Sequence, residues 1–112
     1  MSNLLDLTIL TTLKDVIGDD LNDIIDSFLE LLPGQLESIQ KSIADNDPTA
    51  LRLHAHTLKG SASNVGASGL SDIALEMESL AKKGDAASAN AHFANLAQTA
   101  RETESALRQF MA

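Results

Sequence analysis

The chain has 112 residues, of which 44% are hydrophobic and only 3% aromatic, with no cysteine and a formal net charge of −8. That length suits one compact domain with its own core, and the hydrophobic share excludes a disordered segment. The missing thiols exclude disulfides, thiolate metal sites and cysteine nucleophiles, while the acidic balance makes nucleic acid and anionic membrane poor partners. No stretch approaches the roughly 18 apolar residues of a membrane span, and the first residues lack a basic signal-peptide region. A cytoplasmic protein is the expectation. With so few aromatics, the core must be built from Leu, Ile, Ala, Val and Met, which suits helices better than sheets.

The first segment, Thr8 to Ile17, sets Ile9, Leu10, Leu13 and Ile17 at helical spacing, and Gly18 stops it. Asp19 or Asp20 can cap a second helix, whose apolar stripe comprises Leu21, Ile24, Ile25, Phe28, Leu29 and Leu32, continued by Leu36, Ile39 and Ile43. Pro33 falls inside that stripe and predicts a kink or a break. Asp47 fits an N-cap and Pro48 the first position of a third helix, running to about Asn64. Gly66 and Gly69 bracket its exit. A fourth helix turns Leu70, Ile73, Met77 and Leu80 inward, carries Lys82 and Lys83 in its last turn, and ends at Gly84. Asp85 caps a last helix that buries Phe93, Leu96, Ala97, Ala100, Leu107 and Phe110. Long amphipathic helices joined by short turns predict an all-α fold: an up-down antiparallel four-helix bundle with a short additional N-terminal helix. The whole chain, residues 1–112, reads as one domain, and its start at Met1 and end just after the last helix predict a free-standing one.

The third helix carries the chemistry. With about 100° of rotation per residue and His56 at zero, Leu51, Ala55, Leu58, Ala62 and Val65 fall roughly 180° to 260° round and form the core stripe. Arg52, His56, Lys59, Gly60 and Ser63 fall within about 60° of zero. His56 therefore sits mid-face, with a cation and then a residue without a side chain one turn on. Glycine inside a helix costs about 0.5–1 kcal/mol relative to alanine, so Gly60 needs a reason, and close approach of another molecule supplies one. Lys59 has three donors for an oxyanion held on the imidazole. Imidazole, with an ordinary pKa near 6.5, keeps one nitrogen free to attack at neutral pH.

The string Ala55-His56-Thr57-Leu58-Lys59-Gly60-Ser61, followed by Asn64-Val65-Gly66-Ala67, resembles the signature of histidine-containing phosphotransfer (HPt) domains, the helical intermediates of bacterial multistep phosphorelays. The resemblance extends to Phe28-Leu29-Glu30-Leu31-Leu32-Pro33, the Asp47-Pro48 turn and the Lys83-Gly84-Asp85 turn. It implies that His56 is the phosphorylated nucleophile, that Lys59 steadies the phosphoryl group and that Gly60 leaves room for a receiver domain. It also implies that the receiver domains of response regulators and hybrid sensor kinases are the partners. Those receivers would supply the aspartate and its Mg²⁺, with no cofactor bound by a monomeric chain itself. Arg52, Leu53 and Ser63 are the further candidates for partner contact. The chain has no Gly-rich nucleotide loop, so it should not phosphorylate itself from ATP.

His54 sits at the edge of the core stripe and reads as structural; His92 reads as surface. Histidines at i and i+2 of a helix cannot share a metal, and no acidic stretch has metal-loop spacing, so no metal site is expected. The alternative function is a helical adaptor that binds a kinase or regulator without carrying phosphate.

Overall fold

The structure, a computed structural model, describes residues 4–111. Met1 and Ala112, on which the expectation of a free-standing domain rested, lie outside the described residues. Five helices follow in chain order: α1 Leu7–Ile17, α2 Asp20–Ala44, α3 Pro48–Asn64, α4 Ser68–Lys82 and α5 Ala86–Met111. No strand occurs among the described residues. Helices α2 to α5 close a ring in which α2 packs on α3, α3 on α4, α4 on α5 and α5 on α2. This is the expected four-helix bundle. Short turns between α2 and α5 make each helix antiparallel to the one before it.

The caps follow sequence chemistry. The Asp47 carboxylate accepts from Ala50 N at 3.0 Å behind Pro48, and Asp85 accepts from Ser88 N at 3.0 Å. Asp6 caps α1 in the same way, and the helix begins at Leu7, one residue ahead of the expected Thr8. Asp19 occupies the N-cap position of α2 but makes no capping bond through its side chain.

The core is a stripe of Leu, Ile and Ala, with Leu10, Leu21, Ile25, Ile39, Leu51, Leu58, Leu70, Met77, Leu96 and Leu107 fully enclosed. Two apolar residues assigned to stripes depart from expectation: Ile9 and Ile24 are exposed. Each lies roughly 100° from the centre of its buried face, where a turn of helix has already rolled out toward solvent. Phe93, Ala97 and Phe110 are half-buried at the margins of α5, whose centre instead takes Thr99 and Thr103. Thr103 is tolerated there because its hydroxyl donates to the Thr99 carbonyl at 2.6 Å.

Pro33 does not break α2, which runs unbroken for 25 residues. Its ring lies on the exposed side, while Phe28, Leu29 and Leu32 before it and Ile39 after it are buried. Each such side chain contributes about 1.5–3 kcal/mol of burial, which together exceed the roughly 3 kcal/mol cost of an interior proline.

Helix α1 lies at the bundle end where α3 and α5 finish and α2 and α4 begin. Asp6 N donates to Gly66 O at 2.7 Å, and Gly69 N donates to Leu4 O at 3.2 Å. Lys14 sits over the Phe110 ring. Gly66 has φ +71°, and a Cβ there would lie 3.1 Å from Asp6 O and 3.2 Å from Leu10 Cγ. Gly66→Ala is therefore strained twice, by backbone and by contact. It should cost about 1–3 kcal/mol in chemical denaturation, more than the same change at exposed Gly84. Equal stabilities for the two variants would show that the N-terminal segment does not press on this turn.

Candidate functional site

Helices α3 and α4 share the most extensive contact in the bundle. Small residues allow it: Ala55 and Ala62 on α3 and Ala74 and Ala81 on α4 are all buried. Ser71 extends the contact by donating to the Lys59 carbonyl at 3.2 Å and sharing a 2.7 Å hydrogen bond with the Ser63 hydroxyl. The close approach brings His56, Lys59 and Glu78 together.

Glu78 projects from α4 between the two helices, with its side chain only 4% exposed. Its Oε2 lies 2.8 Å from Nδ1 of His56, and its Oε1 accepts from Nζ of Lys59 at 2.7 Å. Lys82, one turn further along α4, reaches within 3.9 Å of Oε2. The Lys59 hydrogen bond is the largest influence on Glu78 and holds its carboxyl below the ordinary 4.5; burial pushes upward, and the His56 contact adds to the lowering. A lowered folded-state value means the network stabilises the fold fully at neutral pH. That contribution is lost as the pH falls below 4.5 and through the folded value.

The His56 ring remains 64% exposed, and Lys59 28%. An ionised carboxylate can only accept, so Nδ1 must be the ring's N–H, which leaves Nε2 with its lone pair. Among the described residues no protein group bonds Nε2. Gly60 follows one turn later on the same open face, and a Cβ built on it meets nothing within 4 Å. Nothing inside the chain demands glycine at that position.

Of the remaining candidates, Arg52 is exposed and makes no ion pair among the described residues. Leu53 is 61% exposed. Ser63 is exposed but already bonded to Ser71. His54 is half-buried in a groove between α2 and α3, lined also by Leu31, Gly34, Gln35, Ser38 and Thr57. Leu31 on its rim is 64% exposed. His92 is not idle, since its Nδ1 lies 3.4 Å from Glu76 and ties α5 to α4. Among the described residues, no three His, Asp or Glu side chains cluster to hold a metal ion.

Glu78 is the site residue that sequence reasoning missed. The inward positions Leu70, Ile73, Met77 and Leu80 centre the apolar face of α4 away from it. Ala74 and Ala81, four residues before Glu78 and three after, carry the signal that was available. A small-residue stripe moves the buried face toward whatever side chain lies between its members.

A family model described as Hpt domain matches residues 23–109. The chain belongs to the Hpt-domain family. Its function is thus histidine phosphotransfer in a phosphorelay; Hpt domains are phosphocarriers and interact with receiver domains. The structure is similar to the crystal structure of histidine-containing phosphotransfer protein B (HptB) from Pseudomonas aeruginosa PAO1. The TM-score is 0.92 at 27% identity, over 99% of this chain and 96% of that one. A search of curated proteins finds no match. No helix among the described residues is long and apolar enough to cross a membrane.

Proposed function

We propose that Nε2 of His56 carries the phosphoryl group between aspartates of receiver domains. The observation that supports this most is the 2.8 Å contact of Nδ1 with Glu78 on a ring that is otherwise open to solvent. It fixes the tautomer and orientation, so the nucleophilic lone pair points outward without a competing partner. In loading, that lone pair forms an N–P bond while the acyl phosphate's P–O bond breaks, its electrons returning to the donor aspartate. The reverse sequence delivers the group onward.

Lys59 steadies the group. One of its three donors is engaged by Glu78, and two are left for phosphoryl oxygens. Gly60 leaves clearance for the receiver's aspartate pocket. Leu53 and Arg52 flank His56 on α3 with apolar contact and charge, Ser63 extends the same face, and Leu31 stands exposed on the rim of the neighbouring groove. The divalent Mg²⁺ comes with the receiver, whose acidic pocket supplies its ligands. With no nucleotide loop, this chain has no ATP-dependent kinase activity. It acts as a monomeric, single-domain carrier in the cytoplasm, between hybrid sensor kinases and response regulators.

Incubation with a phosphorylated receiver domain tests the reading. The chain should gain one label that is labile in acid and stable in alkali, as a phosphorus–nitrogen bond is. Lys59→Ala should slow loading roughly 10–100-fold without abolishing it, since a charge-assisted hydrogen bond contributes about 1.5–3 kcal/mol. An acid-stable label would place the phosphate on a hydroxyl and overturn the assignment.

A further inference from the structure

The relay needs only a nucleophile, a cation and clearance, yet this site also holds an enclosed carboxylate against the far nitrogen of the ring. Orientation alone does not require a charge there; a neutral carbonyl oxygen would accept the same hydrogen bond. The charge has a chemical consequence that a neutral acceptor lacks. We infer that Glu78 is a proton holder, keeping the Nδ1 proton on the His56 ring throughout the phosphorylated state so that neutral imidazole is always the leaving group. The inference rests on His56 Nε2 as the phosphoryl carrier.

When Nε2 donates its lone pair to phosphorus, the ring that already bears Nδ1–H becomes cationic. In water such a ring can shed that proton and become neutral. Onward transfer then breaks the N–P bond, with the electron pair returning to Nε2 as a receiver aspartate forms its P–O bond. If Nδ1 has lost its proton, the departing ring is an imidazolate anion, a poor leaving group. If Nδ1–H is retained, the departing ring is neutral imidazole. The carboxylate at 2.8 Å stabilises the cationic ring directly, and its low exposure keeps water from screening the interaction.

The surroundings keep Glu78 charged for this task. Lys59 faces it from α3 at 2.7 Å, and Lys82 faces it from its own helix at 3.9 Å. Helix α5 presents His92 to α4, but that ring pairs with Glu76 instead. On the other flank of α3, the α2 residues lining the groove with His54 are Leu31, Gly34, Gln35 and Ser38, none of them titratable. Helix α3 itself places exposed Arg52 one turn before His56. Glu78 is thus the one anion in contact with the ring among the described residues. It acts through His56 and does not touch the phosphoryl group.

The experiment uses the intact chain loaded on His56 with phosphoramidate, a small donor that needs no receiver. The hydrolysis rate of the phosphohistidine is then followed from pH 6 to pH 9. The wild-type rate should stay nearly flat to pH 8, because the proton is held. Glu78→Gln keeps an acceptor but removes the charge. Its rate should fall about tenfold per pH unit above the ordinary imidazole value near 6.5, giving a label roughly thirtyfold longer-lived at pH 8 and similarly slower onward transfer. Glu78→Asp, which restores the charge, should return the flat profile. Nitrogen-15 spectra of the loaded wild-type chain provide a readout without any substitution: Nδ1 should remain protonated at pH 8. Identical profiles for wild type and Glu78→Gln, or an unprotonated Nδ1 in the loaded wild type, would overturn the proton-holding role while leaving the carrier assignment intact. Failure of phosphoramidate to label His56 would instead overturn the carrier assignment beneath it.

Discussion

His56→Gln should leave no label above background after incubation with a phosphorylated receiver, while His54→Gln and His92→Gln should label at close to the wild-type rate. The three histidines occupy three environments. His54 is half-buried in the groove between α2 and α3, so loss of its imidazole changes packing rather than an exposed nucleophile. His92 is engaged with Glu76 between α4 and α5. His56 differs from both in its 64% exposed ring, its short 2.8 Å contact to an enclosed carboxylate and the lysine bound to that same carboxylate. The glutamine amide nitrogen has its lone pair delocalised into the carbonyl and cannot attack phosphorus. It can, however, donate to Glu78 and keep α3 and α4 joined, so stability should change by no more than about 0.5 kcal/mol. Receiver binding should survive, because the rest of the face is untouched. Retention of normal labelling by His56→Gln, with loss in His54→Gln, would move the carrier to the groove. Thermal unfolding of each variant distinguishes lost chemistry from lost fold.

Much of this molecule is legible before any coordinates. The caps at Asp47 and Asp85, the stop at Gly84 and the exposed face of α3 follow from local rules that involve neighbours within four residues. What escaped depends on contacts distant in sequence. Ile9 and Ile24 look like core residues because periodicity defines a stripe, but the width of the stripe is set by the helices packed on it. Pro33 looks like a break because the local penalty is visible and the burial on both sides of it is not. Glu78 shows the largest gap. A glutamate within an amphipathic helix ordinarily reads as solvated, and its meaning arises only where α4 meets α3, 22 residues from His56 and 19 from Lys59. The motif on α3 places the candidate nucleophile, and the alanines that draw α4 close set the Glu78 carboxylate behind it.

The other large effect should come from Gly60→Glu, in which transfer from a phosphorylated receiver falls to background although the chain is no less stable than wild type. The two halves of that result have separate physical causes. Within the chain, a Cβ at Gly60 meets nothing, and replacing an interior helical glycine should gain about 0.5–1 kcal/mol of helix stability. Across the interface, the new side chain stands one turn from His56 on the face that must approach an acidic, phosphoryl-bearing pocket. It fills the clearance and adds a like charge, and like charges brought together at close range cost several kcal/mol in a docked pair. Gly60→Ala should separate bulk from charge: it should gain the helix stability and slow transfer only modestly. Phosphoramidate provides the decisive contrast, because a small donor needs Nε2 but no docking. Gly60→Glu should accept label from it at nearly the wild-type rate while refusing label from the receiver. If both donors fail together, the substitution has disturbed the ring itself, and if both succeed, the receiver does not approach across this turn of α3. Loss from the receiver alone would assign the glycine to the partner's clearance, a role that packing inside the bundle does not give it.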